Sequence, residues 1–286
     1  MPTDILGAIV GLVLTLMILS YLLGDNPLFR LAMYLFVGVA AGYLFSLVAV
    51  LAPGLHVDLP IGRNTLSSLR IVGNLRVILY RTDSRDFNRM ICVRDTPDLG
   101  DCNDKIVAIE VLENLNARPI IYRDTNYRGL SQELDEGLHL SLTIGDDALS
   151  SVLVPDGYKV TLYSNQSLSG DKMICVRDTP DVGGNVGDKI SAVRVEKINA
   201  TQRCPIAYKD SNYTGWSQEL STGTYNGFDI GNDQMSSILV PSGYRVELYS
   251  DQYRTGKKLI CVRDTPKFGA ADDAITSALV EKLSNP

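Results

Sequence analysis

The chain has 286 residues, 45% of them hydrophobic, and 27 basic against 33 acidic side chains leave a net charge of −6. That length predicts two or three domains rather than one small core. No basic stripe interrupts the scattered acids, which argues against nucleic-acid binding, because neutralising phosphates takes clustered Lys and Arg.

Nearly all the charge lies beyond residue 55. Before it, Ile5 to Leu23 and Leu31 to Leu51 carry no charged side chain and flank a polar turn, Gly24 to Arg30. Helices of those lengths would reach roughly 30 Å, the thickness of a bilayer's hydrocarbon core. The start, Met1-Pro2-Thr3-Asp4, lacks the positive charge of a signal peptide. Residues 1–55 therefore read as a transmembrane helical hairpin with the lipid bilayer as partner. Gly7 with Gly11 and Gly38 with Gly42 are small-xxx-small pairs. Such pairs let backbones approach in lipid, within the hairpin or against other membrane-protein subunits. Arg30 in the turn predicts a two-pass cell-membrane topology with the C-terminal part extracytoplasmic.

From Val57 onward one pattern is written almost three times. Ile61-Gly62, Ile144-Gly145 and Ile230-Gly231 each precede a strand ending in Leu-Tyr, at Tyr80, Tyr163 and Tyr249. Then come Ile-Cys-Val-Arg-Asp-Thr-Pro runs at Ile91–Pro97, Ile174–Pro180 and Ile260–Pro266. The period of about 85 residues is that of a small domain. Short alternating strands such as Tyr158–Tyr163, separated by turns such as Asp156-Gly157 and Ser242-Gly243, predict an antiparallel sandwich. Each period has two related halves. Tyr122 to Gly129 and Tyr208 to Gly215 read Tyr-x-x-x-x-Tyr-x-Gly, and Tyr163 to Gly170 and Tyr249 to Gly256 keep the outer residues.

A hexad of two acids or amides, two spacers and two hydroxyls recurs at Asp146–Ser151, Asn232–Ser237 and Asp272–Ser277. Hard oxygens on one short loop suit Ca²⁺, which takes six to eight of them at about 2.3–2.6 Å. A soft-metal site would need Cys or His instead. The plain alternative is that the same side chains cap a turn through bonds to the backbone.

Hairpin, hexad and a half-repeat of roughly 40 residues together resemble the βγ-crystallin family, particularly its microbial calcium-binding members, over residues 57–286. The resemblance implies an all-β fold of tandem Greek-key β-sandwich domains, here preceded by the two transmembrane α-helices. A truncated unit would occupy 57–117, with full domains at 118–200 and 204–286. The resemblance also implies that the second hexad residue and the first hydroxyl are side-chain ligands of Ca²⁺, with main-chain carbonyls completing the cage. Asn232, Asp233 and Ser236, then Asp272, Asp273 and Thr276, match in the last domain, and Asp146, Asp147 and Ser150 match in the middle one. The run Gly187 to Ala192 keeps only Asp188 and Ser191, a weak site. In the first unit Arg63 replaces the first acid and Val107 removes a hydroxyl, so both sites are expected to be inactive. That unit also lacks the aromatic hairpin, which leaves a face for the membrane end or another subunit to cover.

Five cysteines cannot all pair. Cys92, Cys175 and Cys261 share one repeat position and read as buried thiols, leaving Cys102 and Cys204 as disulfide candidates. His56 and His139 are the chain's two histidines, and neither belongs to a nucleophile, base and orienter set. Arg-Asp-Thr-Pro reads as a strand-ending turn and Trp216 as a core residue. The sequence thus predicts a membrane-anchored, non-catalytic calcium-binding protein with a structural or interaction role. An accessory subunit of a larger multisubunit membrane complex, docking through the hairpin, is the alternative.

Overall fold

The computed structural model describes residues 50–283. Alternating side chains point to opposite faces of a strand, so the alternating segments form sheets with two apolar faces to cover. The first unit contains β1 (Gly54–His56), β2 (Leu75–Tyr80), β3 (Arg89–Cys92) and β4 (Ala108–Glu113). The second contains β5 (Ile120–Asp124), β6 (Arg128–Glu133), β7 (Gly137–His139), β8 (Ser151–Leu153), β9 (Tyr158–Tyr163), β10 (Lys172–Cys175) and β11 (Ala192–Lys197). The third contains β12 (Ile206–Asp210), β13 (Thr214–Glu219), β14 (Gly223–Tyr225), β15 (Ser237–Leu239), β16 (Tyr244–Asp251), β17 (Thr255–Cys261) and β18 (Ser277–Lys282).

Five antiparallel sheets result, in the orders β1-β4-β2-β3, β6-β5-β8, β10-β9-β11-β7, β13-β12-β15 and β14-β18-β16-β17. The Greek key lies in the exchanged strands. β7 leaves its own half to pair with β11, and β14 likewise pairs with β18. In return Thr179 bridges Val152 in β8, and Thr265 bridges Ile238 in β15. Each half-unit therefore completes the other's sheet.

The two faces of each strand enter different cores. Ile121 packs inward with Val152, Leu162 and Met173, all fully buried. Its neighbours Ile120 and Tyr122 face the first unit's Ile78, Tyr80 and Ile91. The third unit repeats this: Ala207 lies in its own core, while Ile206 and Tyr208 join the second unit's cluster with Ile174 and Trp216.

The joints between units are two copies of one contact. Tyr122 donates its hydroxyl to Ile91 O at 2.8 Å, and Ile91 N donates to Ser131 Oγ at 2.6 Å. Tyr208 donates to Ile174 O at 2.7 Å, and Ile174 N donates to Ser217 Oγ at 2.7 Å. The polar groups of an edge strand are thus satisfied by the next unit, as buried backbone requires. Arg94 reaches Asp178 at 2.6 Å while lying 4.7 Å from the Tyr127 ring centre. Arg177 reaches Asp264 at 2.5 Å and lies 5.0 Å from the Tyr213 ring. The other oxygens of Asp178 and Asp264 accept from Val154 N and Val240 N, each at 2.9 Å. The Arg-Asp-Thr-Pro runs read as turns are therefore also inter-unit clamps and exchanged single-bridge strands.

Three expectations are corrected here. The fold is all-β: helical structure among the described residues is confined to short 3₁₀ turns, and none of their helices is long and apolar enough to cross a membrane. The two expected transmembrane helices and the glycine pairs Gly7/Gly11 and Gly38/Gly42 lie outside the described residues, apart from Val50 and Leu51 at the end of the second span. The two-pass cell-membrane localisation is accordingly withdrawn. The inner face of the first unit, which lacks the aromatic hairpin, is lined from within the chain. Leu59, Ile61, Leu66, Leu69 and Ile71 from its own leading segment pack against Val77, Leu79 and Met90. Finally, Cys102 and Cys204 form no disulfide. All five thiols are free, and burial pushes those of Cys92, Cys102 and Cys175 up to about 12.

The outward face of the third unit differs from its two counterparts. Ile91 and Ile174 are 0% and 3% exposed, whereas Ile260 at the same position is 47% exposed. Opposite it, where the earlier units carry Ile78 and Thr161, stands Glu247. Its carboxylate accepts from Tyr249 at 2.5 Å and pairs with Lys258 at 2.7 Å and Arg245 at 2.5 Å. The Lys258 bond, then Tyr249, hold this carboxyl below the usual glutamate range. A depressed folded-state pKa contributes stability above the unfolded value, lost as pH falls through the folded one. Glu247→Gln is therefore expected to melt lower than the parent at pH 7, with the gap closing toward pH 3; a gap that persists unchanged at pH 3 would contradict this.

Candidate metal centre

Six hexads are present in space, and all six adopt one turn. The second residue of each has positive φ: Asn64 57°, Asp104 52°, Asp147 52°, Asp188 59°, Asp233 55° and Asp273 50°. Asn and Asp tolerate that region better than other side chains, which accounts for an acid or amide at the position. The loops then grip one another in pairs. Asp233 N donates to Ile275 O at 3.1 Å and Asp273 N to Met235 O at 3.4 Å; in the second unit Asp147 N donates to Ile190 O at 3.3 Å.

The side chains follow the same exchange. Ser236 Oγ donates to Asp273 Oδ1 at 3.1 Å, and Thr276 Oγ1 to Asp233 Oδ1 at 2.9 Å. Ser191 Oγ donates to Asp147 Oδ1 at 3.2 Å. Thus a carboxylate from one hexad meets the hydroxyl of its partner, not that of its own loop. Asp188 and Ser150 hold the remaining positions of the second unit, without a direct bond between them among the described residues. Of the first hexad residues, Asp272 has its Oδ1 buried with no hydrogen-bond partner. Asp146 and Asn232 stand at the same position in their loops.

This exchange changes the reading of the first unit. Ser67 Oγ donates to Asp104 Oδ1 at 3.1 Å, so one carboxylate–hydroxyl pair survives there. The other pair is broken, since Asn64 faces a hexad whose hydroxyl position is Val107. Arg63 is drawn off instead to the Asp83 carboxylate.

The last hydroxyl of the hexad does other work. Ser151, Ser237 and Ser277 are fully buried, donate to Asp124 O, Asp210 O and Asp251 O, and the first two accept from Tyr127 N and Tyr213 N at 3.0 Å. They tie the hexad loop to the aromatic hairpin. The hairpin turns on Gly129 and Gly215, whose φ values are +73° and +79°. A Cβ at either would fall 2.5 Å from the Asp124 or Asp210 carboxylate. The aromatic pair packs edge to face, Tyr122 on Tyr127 at 5.9 Å and Tyr208 on Tyr213 at 6.1 Å. Burial pushes the Asp210 carboxyl up, with the Asp273 charge adding to the shift.

Among the described residues no three His, Cys, Asp or Glu side chains converge. A cation here would be held by one carboxylate, one hydroxyl and backbone carbonyls, a donor set made wholly of hard oxygens. The two histidines serve locally, His56 and His139 each meeting a backbone carbonyl four residues earlier.

No protein-family model matches the chain. It is 26% identical to the development-specific protein S of Myxococcus xanthus over 55% of this chain and 95% of that protein. It is 28% identical to the development-specific protein S homolog of the same organism, over 48% of this chain and 80% of that protein. A solved βγ-crystallin domain from Clostridium beijerinckii is 34% identical and covers 27% of this chain and 97% of its own, with a TM-score of 0.26. With the exchanged strands, paired hexads and tyrosine hairpins, these sequence relatives place the described chain among proteins built of βγ-crystallin-like Greek-key domains.

Proposed function

We propose that the paired hexads bind Ca²⁺ and that the ions brace a non-catalytic, structural or interacting stack of βγ-crystallin-like units. The observation that carries this reading is the meeting of oxygens from two loops in the third unit. Asp233 lies with Thr276 and Asp273 with Ser236, beside the unpartnered buried oxygen of Asp272. A buried carboxylate oxygen without a partner is costly, and a divalent cation supplies the missing one. The same donor chemistry supports a site at Asp147 and Ser191, flanked by Asp146, and a weaker one at Asp188 and Ser150. Asp104 with Ser67 adds a candidate in the first unit. Bound only to the folded form at a hundredfold excess over Kd, each ion adds about 2.7 kcal/mol of stability.

Calorimetric titration of Ca²⁺ into the chelator-stripped chain tests the proposal. Saturable binding of two or more equivalents is expected, with a higher melting temperature in Ca²⁺ than in chelator. Absence of both heat and melting shift would overturn it.

A further inference from the structure

The joints between units leave two equivalent grooves of similar size, about 520 Å³ between the first and second units and about 510 Å³ between the second and third. Their frameworks correspond: Ile120, Glu133, Leu153 and Pro155 in one stand where Ile206, Glu219, Leu239 and Pro241 stand in the other. Their charges do not correspond. The first groove sets Arg94, Arg118 and Arg177 against Glu133, Asp156 and Asp178. The second sets Lys159, Arg177, Arg203 and Arg263 against only Glu219 and Asp264.

Pairing sharpens the contrast. Around the first groove every guanidinium has a carboxylate: Arg94 has Asp178, Arg118 has Asp135 and Arg177 has Asp264. In the second, Lys159 sits 3.4 and 3.5 Å from Glu196 and Glu219, and Arg177 is again held by Asp264. Arg203 and Arg263 have no side-chain partner among the described residues, and Arg203 Nε is buried without a hydrogen bond. In a protein of net charge −6, two uncompensated guanidiniums on one groove call for an anion. A buried N–H left unpaired is costly, and a carboxylate matches the planar guanidinium fork better than any other common anion except phosphate. The walls choose the rest of the ligand: Val176, Ile206, Leu239 and Val262 give it an apolar lining. The volume lies in the range of small-molecule sites, about 300–1,000 Å³.

We propose that the groove between the second and third units binds an aliphatic carboxylate, its head on Arg203 and Arg263 and its chain along the apolar wall. This site is separate from the hexads and stands whether or not they hold Ca²⁺.

Octanoate titrated calorimetrically into the full chain, with chelator present, tests it. One saturable equivalent is expected, with octylammonium giving none. Arg203→Ala and Arg263→Ala should each weaken octanoate binding about tenfold, while Arg118→Ala in the first groove leaves it unchanged. Arg263 is exposed, so its variant keeps the fold and isolates the charge. No saturable octanoate binding, or undiminished affinity in the Arg203→Ala/Arg263→Ala double variant, would overturn the proposal.

Discussion

Replacing Trp216 with alanine is expected to destabilise the chain by about 3–5 kcal/mol, as truncating a buried large aromatic does. Domains of this size are typically stable by only about 5–15 kcal/mol, so the loss would dominate the unfolding curve. Trp216 is on β13 of the third unit and only 8% exposed, yet it belongs to the buried cluster that contains Ile174 and Val193 of the second. Its removal therefore acts on the joint as well as on one core. Urea unfolding followed by far-ultraviolet circular dichroism measures the effect, and this probe is needed because Trp216 is the chain's single tryptophan. A loss below 1 kcal/mol would mean that the joint tolerates the cavity. Removing Arg177 should matter far less, because its pair with Asp264 has side chains 47% and 41% exposed, and such pairs contribute about 0–1 kcal/mol.

The exchange between hexads leads to a second expectation, read as calcium stoichiometry in the third unit. Asp273→Ala should remove one equivalent, and so should Ser236→Ala, since the two side chains meet at 3.1 Å. Combining them should remove no more than one. Asp273→Ala with Thr276→Ala should instead remove two, because Thr276 serves Asp233. Ligands drawn from within a single hexad would give the reverse pattern. The double variants thus decide between the two arrangements in one calorimetric series, and each abolished site forfeits about 2.7 kcal/mol of calcium-dependent stability at a hundredfold excess over Kd.

Much of the architecture was legible because its chemistry is local. A hairpin glycine with positive φ, an Asp or Asn in a left-handed turn and alternating strands are all written within a few residues. The partners were not. Ser236 and Asp273 are 37 residues apart, and Thr276 and Asp233 are 43 apart. Reading each hexad by itself therefore named the acids and hydroxyls without showing which meet, and set aside Asp104 with Ser67. The clamp between units hid in the same way, since Arg94 and Asp178 are separated by 84 residues and Arg177 and Asp264 by 87. A signal did exist there, because a charged quartet recurring at the unit's own period points to contacts between neighbouring repeats. Hydropathy read the leading apolar runs as membrane spans, but no helix that could cross a membrane exists among the described residues. Cysteine counting likewise had no access to geometry, and Cys102 proved to be a core thiol.

The repeated joint gives the molecule a direction. Each contact needs a flat strand face from one unit and a tyrosine hairpin from its successor, and the described residues offer three such faces but only two inter-unit hairpins. The unmatched face is the one where Glu247 has replaced the earlier Ile78 and Thr161. Glu247 is itself only 5% exposed, so any further module seated there would have to strip water from its partners Lys258 and Arg245, cations that are costly to bury away from water. One glutamate thus gathers two cations onto the face, so the third unit presents charge where the earlier two carry Ile78 and Thr161.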